Sequence, residues 1–177
     1  MSILKIADKH VLLACISNLQ ICDVEAFMSN LRSVKKDMAV QAVNADLVAG
    51  IQHIMGVLQQ SIEAKKRGIL LSKRIEIDIL LRLACTGQIS KAVIDIGLKD
   101  GMNNVLVIAI GKINHLKELR KYIAANYGTN NNILQKPSKK RMKIISSLHG
   151  IGKEELNALV SDSNRIASIL IERASLL

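Results

Sequence analysis

Aromatic residues are almost missing from this chain: one Phe, two Tyr and no Trp among 177 positions. Phe27, Tyr122 and Tyr127 stand alone. That scarcity excludes RNA-recognition motifs and OB-folds, which stack bases on exposed rings. Proline is scarcer still, with Pro137 the single instance. The three cysteines, Cys15, Cys22 and Cys85, are odd in number and contain no CxxC pair. They exclude a disulfide framework and fit free thiols in a reducing interior. No apolar run approaches the roughly 20 residues a membrane-spanning helix needs; VLVIAI at 105–110 is strand-sized. The first twenty residues lack a basic start followed by a small-residue cleavage site, so no secretory leader is expected. The cytoplasm is the expected compartment.

Catalytic motifs are missing too. There is no GxxxxGK[ST], no GxGxxG and no GxSxG. His10, His53, His115 and His149 are dispersed, without metal-ligand spacing to each other or to a cysteine. Glu76 and Asp78 lie two apart on a predicted helix, so they diverge by about 200° and cannot share a substrate. Cys85 beside Thr86 has no indicated base and reads as a structural thiol. No catalysis, cofactor, metal or small-molecule substrate is expected.

What is present is aliphatic and basic. Apolar residues make up 49% of the chain, which rules out disorder as the main state. The formal charge is +10, and it is local. Residues 64–75 hold Lys65, Lys66, Arg67, Lys73 and Arg74 without an acid, and residues 119–153 hold Arg120, Lys121, Lys136, Lys139, Lys140, Arg141, Lys143 and Lys153, again without one. A phosphate-binding footprint has this character, and the expectation is one exposed basic region.

Periodicity predicts strands at 10–17, 38–43 and 104–110. It predicts helices at 24–35 after an Asp23 cap, at 45–66 after Asn44 and ending at Gly68, at 73–85, at 88–96 ending at Gly97, and from Asn114 to Tyr127. Residues 128–140 read as a loop, with further helices at 139–148, 152–160 and 163–176. The expectation is an α+β fold, helices packed around a small, mainly antiparallel sheet. It forms one domain over 1–177, within which 136–177 is able to form a helical subdomain. Gly150-Ile151-Gly152 between two helices resembles a helix-hairpin-helix turn, so a DNA-binding module is the competing function. An interhelical turn with Gly150 as a C′ cap is the plainer reading.

Residues 69–97, ILLSKRIEIDILLRLACTGQISKAVIDIG, resemble the central segment of the TPRKB family. The resemblance is carried by the basic turn from Lys65 to Lys73, by Ser72, Glu76, Leu80 and Leu81, and by Thr86-Gly87-Gln88-Ile89 followed by Ala92. HVLLACISN at 10–18, the helix at 45–66, NNVLVIAIG at 103–111 and IERASLL at 171–177 are similar to further family segments. This chain has Gly87 where the family often has an arginine.

The resemblance implies a non-catalytic, kinase-binding subunit of the KEOPS complex, which installs threonylcarbamoyl on the adenosine after the anticodon. It also implies partners: a small atypical kinase/ATPase, and tRNA held by its single-stranded 3′ CCA end. On that reading Lys65, Lys66, Arg67, Lys73, Arg74 and Arg82 contact phosphates, and Lys139, Lys140, Arg141 and Lys143 extend the track. Ile166, Ile169, Leu170 and Leu177 on the closing helix are the expected kinase-docking residues.

Overall fold

The central strands have no polar side. Strand β2 (Lys9–Ile21) sends Val11, Leu13 and Cys15 to one face and Leu12, Ala14 and Ile16 to the other, all buried. Strand β4 (Gly101–Gly111) does the same with Leu106, Ile108 and Ile110 against Val105, Val107 and Ala109. Such strands must be covered on both faces. The computed structural model describes residues 1–128, 134, 137–158 and 164–177. Among these, β1 (Ser2–Ile6) and β3 (Ala39–Asn44) complete a four-stranded antiparallel sheet of order β1-β2-β4-β3. Leu13 faces Ile108 and Ala42 faces Val107 across the ladders. Helices on both faces make this the expected α+β fold.

One face is covered by α1 (Val24–Ser33) and α5 (Ile113–Tyr127), through Phe27, Met28, Leu31, Leu116, Leu119 and Ile123. The other is covered by α2 (Ile51–Arg67), α3 (Ile75–Leu83) and α4 (Ile89–Ile96). Helices α6 (Lys139–Leu148), α7 (Lys153–Ala158) and α8 (Arg165–Ser175) follow. They close over a smaller cluster of Ala49, Ile145, Ile151, Ile166, Ala167, Ile169 and Leu170. Ala174 of α8 reaches the sheet-facing core. Fully burying each Ile or Leu of this set is worth about 1.5–3 kcal/mol.

Local chemistry sets most helix ends. Asp23 caps α1 by accepting from the Ala26 amide at 2.9 Å. Gly68, at φ +71°, stops α2 in the left-handed region, with the Ile69 amide bonded to the Ala64 carbonyl at 2.9 Å. The predicted start of α2 is corrected. Asn44 does cap, accepting from the Asp46 amide at 2.9 Å, but the turn it caps is a 3₁₀ turn, Ala45–Leu47. The chain then breaks at Gly50, whose φ of +85° is not helical, and α2 begins at Ile51. Strand β1 has no counterpart in the expected elements.

Candidate binding surfaces

The last turn of α2 places Lys65, Lys66 and Arg67 in solvent at the negative pole of the helix. The Gly68 turn leads to Lys73 and Arg74, also exposed. The β1–β2 turn approaches from the other side. Asp8, Lys9, Ile62, Lys65, Lys66, Ile75 and Ile110 line a concavity of about 170 Å³ there. Lys9 donates to Asp8 at 2.8 Å, and that bond, with Lys66 adding its charge, holds the Asp8 carboxyl below its usual range. Among the described residues Lys65, Lys66, Arg67 and Lys73 have no ion-pair partner. Arg74 has one, Glu76. The sequence-predicted first patch is thus assembled as a corner of cations, with Arg74 partly neutralised.

Arg82 does not belong to it. The residue is 6% exposed, its Nε donates to Asp78 Oδ2 at 2.9 Å, and its Nη1 donates to the Ala174 carbonyl at 2.7 Å. Asp78 also accepts from the Leu71 amide at 2.8 Å. Arg82 therefore ties α3 to the α2–α3 loop and to the last turn of α8, with its guanidinium engaged by protein groups.

The second run is divided in the same way. Lys139, Lys140 and Lys143 are exposed on α6. Arg141 turns inward: its Nη2 donates to the carbonyls of Ala45 and Val48, the latter at 2.9 Å, and its Nε lies 3.7 Å from Asp46 Oδ1. It fastens α6 to the 3₁₀ turn before α2. Lys136 lies outside the described residues. The two runs therefore occupy opposite ends of α2, whose 17 residues span about 25 Å. Arg120 and Lys121 sit on α5, across the sheet. The single basic region expected from sequence is corrected to separate groups of cations.

The Gly150 turn is a helix cap. At φ +61°, Gly150 lets the Ile151 amide reach the Ser146 carbonyl at 2.8 Å, and Ile151 is buried. Helix α7 then opens with Glu154 and Glu155 in its first turn, which disfavours an anion there.

Three of the four expected docking residues face the interior. Ile166, Ile169 and Leu170 form the inner stripe of α8 in the smaller cluster, and Leu170 is fully buried. Leu177 remains exposed beside Leu176. Three exposed apolar residues gather on α4, Ile89, Val93 and Ile94, the last exposed by 67%, while Ala92 and Ile96 of the same helix are buried in the core. The signal was in the sequence: five of the eight residues of α4 are apolar, more than one buried face requires.

Among the described residues no group of three or more His, Cys, Asp or Glu is placed to hold a metal ion. No helix there is long and apolar enough to cross a membrane.

These features define an α+β protein whose charged and apolar patches stand on the outside of an aliphatic body. The chain belongs to the family described as kinase binding protein CGI-121, whose model matches residues 19–176. This is the TPRKB family of the resemblance, and its span takes in α1 to α8. A comparison with curated proteins finds no match.

Proposed function

We propose that the chain is a non-catalytic, cytoplasmic accessory subunit of the KEOPS tRNA-modification complex. It docks on the small atypical kinase/ATPase of that complex and holds tRNA by phosphate contacts, with the 3′ CCA end as the expected segment. Family membership over residues 19–176 is the observation that carries the reading. The RNA half is supported by Lys65, Lys66, Arg67 and Lys73, exposed and without an ion-pair partner among the described residues. Arg74 is a weaker contributor, and Lys139, Lys140 and Lys143 form a separate contact at the far end of α2. Docking uses the apolar surface of α4 and Leu177.

The mechanism is positioning. Each phosphate that a Lys or Arg neutralises releases condensed counterions, which gives affinity without reading sequence. An aliphatic body with few rings cannot hold bases by stacking, so orientation comes from the backbone contacts.

Co-expression with the cognate kinase, followed by gel filtration, tests the docking half: a single co-eluting species is expected, and two separate peaks at micromolar concentration sink it. For the RNA half, K65E/K66E/R67E weakens tRNA binding and flattens its salt dependence. Unchanged affinity in a folded variant removes this corner from the site.

A further inference from the structure

The charge on the opposite side of the sheet is not used by that reading. Helix α5 carries Lys117, Arg120 and Lys121 at i, i+3 and i+4, all exposed. That spacing sets neighbouring side chains about 5–6 Å apart on one face. None of the three has an ion-pair partner among the described residues. The nearby acids are engaged elsewhere. Glu118 pairs with Lys35 at 3.1 Å, and Asp37 lies 3.0 Å from His115 Nδ1 and 4.0 Å from Lys112. The three cations therefore share one exposed face of α5. Arg120, Lys121, Ala124 and Met1 line a shallow concavity of about 350 Å³. Ala124 and Ala125 keep the outer surface low, so a bulky chain can approach the cations closely.

We infer that this outer face of α5 is a second polyanion-binding surface, fitted to the sugar–phosphate backbone of an RNA. The inference rests on the RNA-holding part of the proposed function and extends it to the other side of the molecule. Phosphate contact needs cations and access, both of which are present. A protein partner would need a buried apolar centre, and the middle of the α5 outer face offers only alanines; its one exposed large apolar residue, Ile113, stands at the helix start. The α2–α3 corner and α5 lie across the sheet from each other, with a helix about 10 Å thick on each side. A short straight strand cannot touch both surfaces. A folded RNA can, with one segment at Lys65–Arg67 and another at Lys117–Lys121.

The test is fluorescence anisotropy of a labelled tRNA transcript titrated with wild type, K65E/K66E/R67E, K117E/R120E/K121E and the neutral variant K117Q/R120Q/K121Q, across a series of KCl concentrations. Circular dichroism checks each fold. The α5 reversal should bind roughly tenfold or more weakly, with a salt slope shallower by about 2–3, and the glutamine variant should show the same change in smaller degree. If both α5 variants bind as wild type while the α2 reversal loses affinity, the α5 surface is overturned and the corner stands. If wild type itself does not bind tRNA, both fall. If the α5 variants lose the kinase but keep RNA, the surface is a protein interface and the inference is wrong.

Discussion

A Cβ placed on Gly56 of α2 would lie 2.6 Å from both Cδ1 and Cγ1 of Ile171 on α8, so the closing helix rests directly on the backbone of α2. Gln60, one turn further on, donates to the Ile171 carbonyl at 2.8 Å and fixes the register of the two helices. Helix propensity alone favours alanine over glycine at such a position by about 1 kcal/mol. The clash outweighs it, because both branches of the half-buried Ile171, Cγ1–Cδ1 and Cγ2, are met at 3.0 Å or less and must shift, and overpacking costs about 1–3 kcal/mol. Gly56→Ala is therefore expected to lower stability in urea unfolding. Ile171→Ala in the same chain should recover much of the loss. Purely additive effects of the two substitutions would show that the helices do not meet as described.

Arg82 offers a test that separates structure from RNA binding. Its guanidinium and the Asp78 carboxylate are both buried, and each also holds a backbone group. Removing one member of a buried pair leaves the other charge stranded, at about 3–5 kcal/mol. Arg82→Leu should lose that much by denaturant unfolding. Asp78→Leu/Arg82→Leu should recover part of it, since the Leu71 amide and Ala174 carbonyl still lack their partners. Where Arg82 is replaced and the chain still folds, tRNA affinity is expected to stay unchanged; a large selective loss of tRNA binding would return Arg82 to the interface.

The legible parts of the sequence were those with local causes. Val11–Ile16 and Val105–Ile110 are apolar on both faces, and that alone demands a sheet covered twice. The ends at Asp23, Gly68 and Gly150 follow from capping side chains and positive φ within a few residues. Strand β1 escaped because it buries only Ile6 and is held by ladder bonds to β2, which leave no trace in composition. The expected helix 45–66 is interrupted at Gly50, whose φ of +85° no helix takes, and the 3₁₀ turn before it is held by a residue distant in sequence, Arg141, through the Ala45 and Val48 carbonyls. The candidate site fared unevenly for the same reason. Lys65–Arg67 had to be exposed at a helix end, whereas Arg82 and Ile166 sit on helices whose inward side is fixed only when α8 packs on α2 and α3.

His53 predicts how stability responds to acid. It is fully buried on α2, and its Nδ1 accepts from the Ala49 amide at 3.4 Å. Burial, with the nearby His149 adding a little, pushes its pKa from 6.5 down to about 3. The folded imidazole thus stays neutral while the unfolded one takes up a proton near its ordinary value. The contribution to stability is complete above pH 6.5 and is lost as pH falls from 6.5 towards 3. The slope is about 1.4 kcal/mol per unit, or about 2 kcal/mol between pH 6.5 and 5. His149, also lowered by burial, acts in the same direction. Urea midpoints should fall accordingly on acidification, and His53→Leu should flatten the profile. An identical slope in that variant would assign the acid response to other groups.

On the proposed function the apolar face of α4 is the kinase-docking surface, and charging it tests that reading. Ile89 and Val93 are one turn apart and about half exposed, at 49% and 48%, with Ile94 beside them more exposed still. Helix α4 is only eight residues long and is held to the core by Ala92 and Ile96. A charge on its outer side therefore costs the fold little, because these side chains already meet water. The same charge at Leu170 would be driven into the packed cluster under α8 and should unfold the C-terminal layer. Val93→Asp/Ile94→Asp is accordingly expected to melt like wild type, to bind tRNA like wild type, and to elute apart from the kinase in gel filtration. A loss of roughly 2 kcal/mol or more in association is reasonable for two central apolar anchors. Retention of a full-strength complex by this variant would move the docking surface away from α4, leaving Leu177, with Leu176 beside it just past α8, as the remaining part of the proposed surface to charge.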